Sequence, residues 1–567
     1  MVYRNGYIYT VDAKDSVQQA LAVRDGRIVY VGDNEGVNAL TGKKTRVVDL
    51  GGRMLMPGLV DAHMHPQSGG SRMLHCNLNY ESLTVAQFQA RIQTCLDKDT
   101  KTGPDAWLWV VNWFQQGLLP EGVETTAATL DVIKTRRPIV VRSSYGHSVL
   151  LNSRGIEVAK ITDATPNPPG GVITRDAQGH ATGLLEDAAQ DLAMDLLPPL
   201  TPAQNLQAAR SAMAAMQRQG ITTFFDVYTD PETLTAYRQL HREGEMTARG
   251  HFAVLIDLDK TNLDKAMAEV LRLRQAFDQG PTQTAPAMQV RHAKLFMDGV
   301  IAAPAFTGAM LEPYFINHGS HDHPQWRPGQ HKGPPSYFSP SDLRDTLRAL
   351  AREGIDPHVH VDGDRAVRDT LDAIAELRTT PEGKDMRPGL AHAEIVHPHD
   401  FHRFAEVDAT PVLSFQWGKP APDTVGGLRD YMGPQRYAVI EPQALLLNAG
   451  ARVAFGSDWP VDPLDEWHAL QVGVTRTAGP YATKGYTGTL TDQPGMPRSA
   501  VLRAITMNAA YVVRQEKLVG SLEVGKLADL IMLDRNFFSI PAEDIANIRV
   551  LQTMVGGKIV YQAKGVQ

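Results

Sequence analysis

The middle of this chain alternates short apolar segments with longer amphipathic segments, and this alternation limits the fold more than any other feature. Such alternation is typical of strand–helix units, whose strands pair in parallel. It therefore predicts an α/β protein. Eight units can be counted, and eight units predict a closed TIM-type (β/α)8 barrel. We predict its strands at residues 57–65, 221–227, 251–256, 290–296, 355–361, 390–396, 412–415 and 453–458.

The helices between these strands have clear start signals and apolar stripes. Thr201-Pro202-Ala203-Gln204 predicts a capping box with proline in the first turn, and Gly220 predicts the end of that helix. Ser339-Pro340 predicts the start of another helix. Apolar residues at helical spacing within 367–377 predict a third. We interpret each apolar stripe as packing against the barrel.

The two ends of the chain resemble each other. The sequence predicts a turn followed by a strand at residues 25–31 and again at residues 556–561. It predicts a buried strand at residues 527–533. We therefore predict that residues 1–56 and 516–567 form one composite β-sandwich domain. The hydrolase barrel, residues 57–515, would be inserted into it.

Predicted strands one and two are separated by far more residues than a barrel connection needs. We predict that residues 67–200 form an inserted subdomain that covers the active-site face. A second long loop is predicted near residues 300–340. Both would lie at the carboxyl ends of the barrel strands, where active sites of such barrels are found.

Metal-binding side chains lie at the ends of five predicted strands. On strand one, residues i and i+2 point to the same side, so His63 and His65 would converge on one point. Imidazole and carboxylate are ligands that divalent ions such as zinc prefer. Because the carboxyl ends of barrel strands meet on one face, the sequence predicts a metal site there. The candidates are His63, His65, Lys294, His360, His392 and Asp458.

This residue set suits a hydrolase with two metal ions. Burial lowers the pKa of a lysine, so the amine of Lys294 could be neutral and add carbon dioxide. The resulting carbamate is an anion able to bridge two divalent ions. Such ions lower the pKa of a bound water to about 7. Asp458 could then take a proton from that water and later give it to the leaving nitrogen.

The strand-end segments resemble the amidohydrolase superfamily. More narrowly, they are similar to its family 3, the YtcJ-like metal-dependent hydrolases that include N-substituted formamide deformylase. The resemblance covers almost the whole chain, although Asp362, Ala391 and Trp417 depart from the family pattern. It is carried by MPGLVDAHMHP (56–66), HAKLFMDGV (292–300), HVDGDRAV (360–367), AHAEIV (391–396), FGSDWPV (455–461) and GSLEVGKLADLIMLD (520–534).

The resemblance implies His63, His65, Lys294, His360, His392 and Asp458 as metal ligands. It favours His360 over His358, and it implies two ions, zinc by expectation, bridged by N6-carboxylated Lys294. Asp458 would be the catalytic acid and base in the cleavage of a non-peptide or N-acyl amide C–N bond. The candidate substrate contacts are His147, Trp113, Asp298, Trp417 and Trp459, and Arg142 is a candidate for binding an anion. Either Glu186 or Asp187 could match a family glutamate.

Two other functions are compatible with the motifs. One is a deaminase of the same superfamily with a single metal, although such enzymes lack the bridging lysine. The other is a barrel that has lost its metals and its catalysis, against which the complete ligand set argues. The number of metals per chain separates these three possibilities: two, one or none.

Composition bears on partners and compartment. With Lys+Arg 56 against Asp+Glu 63, the net charge of −7 argues against nucleic-acid or membrane partners. We expect a small-molecule amide substrate with aromatic character, and a homodimer. The first residues read as a strand, so we expect a cytoplasmic protein, or a periplasmic one if a leader was removed. Cys76 and Cys95 are predicted to be buried free thiols, with one disulfide as the alternative.

Overall fold

The computed structural model of the chain describes residues 1–100, 102–168, 171–320 and 322–565. Its centre is the predicted parallel eight-stranded barrel. The barrel is nearly closed, because His65 N–H donates to Trp459 O at 2.7 Å where strands one and eight meet. In chain order its strands are Leu59–Met64, Ile221–Thr229, Arg249–Leu255, Met288–Phe296, Asp356–Val361, Gly389–His392, Thr410–Leu413 and Ala454–Phe455.

The eight predicted strands therefore all exist, each within a few residues of its expected bounds. Helices connect them on the outside of the barrel. The main ones are Pro66–Arg72, Pro202–Gln219, Pro231–Glu243, Leu263–Phe277, Pro340–Arg352, Asp364–Arg378, Arg403–Glu406, Arg429–Tyr437, Gln443–Asn448, Glu466–Thr475 and Arg498–Arg503.

The predicted helix signals are confirmed. Thr201 and Gln204 form a reciprocal capping box, and Gly220 ends that helix with φ 91°, a left-handed conformation that glycine adopts without strain. Ser339 accepts the N–H of Asp342 at the start of the next predicted helix. The apolar stripes of these helices are buried against the barrel, as their spacing predicts.

Strands from both ends of the chain share one sheet. Leu530–Leu533 pairs antiparallel with Met54–Pro57, in a six-stranded sheet that also holds Tyr7–Tyr9, Val17–Gln18, Val550–Val555 and Lys558–Gln562. A four-stranded sheet contains Val2–Arg4, Ala20–Arg24, Arg27–Gly32 and Val47–Asp49. Side chains of both sheets meet in one buried apolar cluster. The domain bounds given above stay predictions.

A separate six-stranded sheet lies in the long connection between barrel strands one and two. Its strands are Cys76–Asn77, Leu108–Trp113, Ile139–Ser143, Ser148–Leu151, Gly171–Arg175 and Ala181–Asp187. Helices Val85–Lys98, Ala127–Asp131 and Ser153–Val158 belong to the same connection. In the second long loop, Phe315–Asn317 and Trp326–Pro328 pair as a hairpin.

The prediction of free thiols is wrong. Cys76 and Cys95 form a disulfide, with their Cα atoms 5.7 Å apart. The bond joins strand Cys76–Asn77 to helix Val85–Lys98. The sequence separation of 19 residues says nothing about this distance, which the packing of the helix against the sheet sets.

Among the described residues, no helix is long and apolar enough to cross a membrane. The homodimer and the compartment stay predictions.

Candidate metal centre

The carboxyl ends of the barrel strands line one cavity of about 1010 Å³. All six predicted ligands line it: His63, His65, Lys294, His360, His392 and Asp458. They come from five different strands, which the closure of the barrel brings to one face. The structure therefore brings the whole predicted set together.

Three of these side chains form the tightest group. One ligand atom from each of His63, His392 and Asp458 lies within 4.8 Å of the others. His63 Nε2, His392 Nδ1 and Asp458 Oδ1 are buried and have no hydrogen-bond partner among the described residues. Unpaired buried polar atoms are costly, and convergent ones are what a metal ion satisfies. The residues present thus fit a divalent ion with imidazole and carboxylate ligands.

The other predicted ligands surround this group. His65 Nε2 lies 3.2 Å from Asp458 Oδ1, and the His360 and His392 rings lie 4.5 Å apart between centroids. His360 Nε2 contacts Gly299 O at 2.8 Å. Lys294 is buried, with its Nζ 4.6 Å from the centroid of the Phe296 ring. No carboxylate of a described residue lies within 4.0 Å of that amine.

Asp61 holds strands one and eight in register at the centre. Its Oδ1 accepts the backbone N–H groups of His63 at 3.0 Å and of Ser457 at 3.1 Å. The strands approach so closely that a Cβ on Gly456 would lie 2.3 Å from His63 Cβ. Sequence reasoning missed Asp61, although the alternation that aligns His63 and His65 also puts Asp61 on their face.

His392 and Asp458 both have strained backbones. Their φ angles are 73° and 54°, in the left-handed region that side chains other than glycine rarely adopt. Such strain costs of order 1–3 kcal/mol per residue and clusters at functional sites. The fold therefore accepts a local cost to aim these two side chains into the cavity.

Burial sets the protonation of the site. It lowers the pKa of His63 and of His392 well below the ordinary imidazole value, and nearby Lys294 and His360 act in the same direction. Burial and Lys294 lower the pKa of His360 to about 3. All three rings are therefore neutral at pH 7, the form that binds metal.

Burial also lowers the pKa of Lys294 to about 7, so a large fraction of its amine is neutral at pH 7. For Asp458, burial alone would raise the pKa, but the contact with His65, whose Nε2 lies 3.2 Å from Oδ1, and the proximity of His392 and Lys294 outweigh it. The pKa of Asp458 is consequently lower than usual. Its side chain is therefore an anion.

His358 supports His63 from below the centre. His63 Nδ1 and His358 Nε2 are 2.7 Å apart, and both side chains are buried. If His63 uses Nε2 as a ligand, its proton must lie on Nδ1 and be donated to His358. The predicted preference for His360 fits this arrangement, because His360 lines the cavity and His358 does not.

This contact gives a testable prediction. His358→Leu should weaken metal binding by about 10- to 100-fold, because His63 loses the partner that sets its tautomer and ring orientation. His358→Gln fills a similar volume and can accept the same hydrogen bond, so it should retain most of the affinity. The measurement is the metal dissociation constant from competition with a chromophoric chelator. Equal constants for the two variants would show that His358 only fills space.

Two of the predicted substrate contacts line the cavity. His147 Nδ1 is 2.7 Å from Asp187 Oδ1, so Asp187 rather than Glu186 holds this ring. Trp417 stacks on His392, with centroids 5.3 Å apart, and its Nε1–H donates to Asp462. Together they provide one polar and one flat apolar surface beside the candidate ligands.

The other three predicted substrate contacts lie outside the cavity lining. Trp113 packs in the core of the inserted sheet against Phe88, because the alternation along its strand turns it inward. Trp459 packs over Gly69, outside the cavity lining. Asp298 is buried, and its carboxylate accepts hydrogen bonds from the backbone N–H groups of Ala309, Asp362 and Gly363. None of the three lines the cavity, although Asp298 Oδ1 lies 3.8 Å from His360 Nε2 beneath it.

Comparison with known proteins agrees with this geometry. The profile described as "Amidohydrolase family" matches residues 46–561. Putative amidohydrolase YtcJ of Bacillus subtilis (strain 168) is 25% identical, over 99% of this chain and 99% of that protein. N-substituted formamide deformylase of Arthrobacter pascens is also 25% identical, over 99% of this chain and 98% of its own. An uncharacterized metal-dependent hydrolase from Pyrococcus horikoshii OT3 has a similar fold, with TM-score 0.69 and 20% identity over 95% and 98% of the two chains.

Proposed function

Because this chain belongs to the amidohydrolase family, we propose that it hydrolyses a non-peptide or N-acyl amide C–N bond with the help of divalent metal. One observation carries the proposal. The buried atoms His63 Nε2, His392 Nδ1 and Asp458 Oδ1 have no hydrogen-bond partner among the described residues, and they converge where the barrel opens into the large cavity. The chemistry of these atoms suits zinc.

The proposed ligands are His63, His65, Lys294, His360, His392 and Asp458, with Lys294 as an N6-carboxylated bridge between two ions. The neutral amine that such a carbamate requires is supplied by the buried position of Lys294. Divalent ions bound here would polarise the scissile carbonyl and lower the pKa of a nearby water to about 7.

The protein's own groups would move the protons. Asp458 is an anion in contact with His63 and His65, so it can accept a proton from the attacking water. As the new C–O bond forms and the C–N bond breaks, Asp458 gives this proton to the leaving nitrogen. His147, held at Nδ1 by Asp187, keeps its other ring nitrogen for the substrate. Phe114, Tyr145, Phe296 and Trp417 line the cavity and suit an aromatic or apolar group.

A deaminase with one metal is the second candidate. It is favoured by the fact that only three ligand atoms form the tight group found among the described residues. Against it stands Lys294, which lies in the cavity with no described carboxylate within 4.0 Å and has no evident role with a single ion.

Metal removal tests both functions. We expect elemental analysis to find two divalent metal ions per chain, and we expect them to be zinc. Stripping with a chelator should abolish hydrolysis of a panel of N-formyl and N-acyl arylamines, because no buried group replaces the ions, and zinc should restore it. Full activity of the stripped protein would contradict the proposal. One ion per chain with ammonia release from aminated heterocycles would establish the deaminase instead.

A further inference from the structure

Arg142 lines the cavity without direct contact to a described carboxylate. It lies in strand Ile139–Ser143 of the inserted sheet. Its Nε is buried and has no hydrogen-bond partner among the described residues. Its Nη2 makes one long contact, 3.4 Å to Gly146 O, and no described carboxylate lies within 4.0 Å. The guanidinium therefore keeps most of its donors for something else.

A second guanidinium in the same cavity wall is already occupied. Arg72 ends helix Pro66–Arg72, and its Nη1 donates to Asn112 Oδ1, Ser144 O and Pro460 O, all uncharged acceptors. It too has no described carboxylate within 4.0 Å. Burial and the charge of Arg72 lower the pKa of Arg142 to about 10. The carboxylates of Asp191 and Asp458 oppose this repulsion only from beyond 4.0 Å, and an anion bound directly to Arg142 would offset it further.

Arg249, a buried arginine elsewhere in the protein, has the partners that Arg142 lacks. It binds Asp529 through Nε at 2.7 Å and donates from its other nitrogens to backbone carbonyls. Arg142 differs from Arg249 because its guanidinium lines the cavity and contacts no described carboxylate. A planar guanidinium with free donors matches a carboxylate by two parallel hydrogen bonds.

We propose that Arg142 binds a carboxylate of the substrate, so that the preferred substrates are N-acyl amides that carry a carboxylate, such as N-acyl amino acids. This rests on the proposed amide hydrolysis. A monoanion fits better than a dianion such as phosphate, because only one guanidinium is free. Asp230, Glu232, Asp462 and Asp465 also line the cavity and would repel additional negative charge.

The test compares substrates that differ only in the carboxylate. N-formyl-, N-acetyl- and N-benzoylphenylalanine are assayed beside the matching amides of 2-phenylethylamine, with wild-type enzyme, Arg142→Gln and Arg142→Lys. We expect Arg142→Gln to lower kcat/KM for the carboxylates by about 10- to 100-fold, mainly through KM, since a hydrogen bond to a charged group is lost. The neutral amides should change less than about threefold, and Arg142→Lys should be intermediate. Arg154→Gln is the control and should change neither series, because this half-buried arginine of the same insert does not line the cavity.

A binding measurement separates this inference from the proposed function. Calorimetry of 3-phenylpropanoate and 3-phenylpropanamide is done on metal-free protein, so that no ion can bind the carboxylate. We expect the carboxylate to bind wild-type protein more tightly than the amide, and Arg142→Gln to remove that difference. The inference would be overturned if 3-phenylpropanoate bound wild-type and Arg142→Gln protein equally well. It would also be overturned if Arg142→Gln lowered kcat/KM equally for the carboxylate and the neutral substrates. If neither series is hydrolysed, the proposed function fails, and the calorimetry still decides whether Arg142 binds carboxylates.

Discussion

Asp458→Asn should lower kcat by about 10³- to 10⁴-fold, because an amide can neither accept the proton of the attacking water nor pass it to the leaving nitrogen. The side chain keeps its size and one oxygen, so the fold should be unchanged. Asp458 Oδ1 contacts His63 and His65, and Oδ2 lies 3.9 Å from His392 Nδ1. Metal content must therefore be measured together with the rate, since the substitution also removes a charged ligand atom.

Glu232→Gln provides the matched control. Glu232 also lines the cavity, but it is exposed at the start of helix Pro231–Glu243 and makes no hydrogen bond or ion pair with the described residues. The kcat of the Glu232→Gln enzyme should stay close to the wild-type value. An Asp458→Asn enzyme that is fully loaded with metal and retains more than about a tenth of wild-type kcat would rule out Asp458 as the acid–base group.

Lys294→Ala should reduce the metal content from two ions to at most one and lower kcat/KM by at least about 100-fold, since about 3 kcal/mol of transition-state stabilisation would be lost. No described carboxylate lies within 4.0 Å of the buried lysine, so its simplest role is to become an anion itself. Lys419→Gln removes another ammonium from the cavity lining and should leave the metal content at two.

Bicarbonate dependence tests the carbamate directly. Metal-free wild-type protein should take up two ions in buffer with bicarbonate and fewer in buffer freed of carbon dioxide. With ¹³C-bicarbonate, the loaded protein should show a carbamate resonance that Lys294→Ala lacks. Two ions and full activity in Lys294→Ala, or uptake that ignores bicarbonate, would contradict the two-metal centre.

The fold and the candidate ligands were predictable because both depend on local repeats. Strand alternation aligned His63 with His65, and the strand–helix count placed Lys294, His360 and His392 at neighbouring strand ends. In a parallel barrel the carboxyl ends of all strands lie on one face. Knowing the ends of the strands was therefore sufficient to group the ligands.

Side-chain partners across the fold were not predictable. Trp113 and Trp459 lie near the right segments, yet one faces the core of the inserted sheet and the other packs over Gly69. The bond between Cys76 and Cys95 depends on how a helix packs against a sheet. No local pattern reports either kind of contact, because each depends on residues distant in the chain.

The sequence by itself determined the barrel, its strand ends and the residue types that can bind a metal, because periodicity and strand direction are local properties. Only the tertiary structure decided which atoms are left without partners. It turned His63 Nε2, His392 Nδ1 and Asp458 Oδ1 toward one another and gave His63 its contact with His358. It also left Arg142 Nε in the cavity wall without a hydrogen-bond partner among the described residues. Burial and unsatisfied hydrogen bonds are properties of the packed molecule, and these properties distinguish a reactive centre from a list of suitable residues.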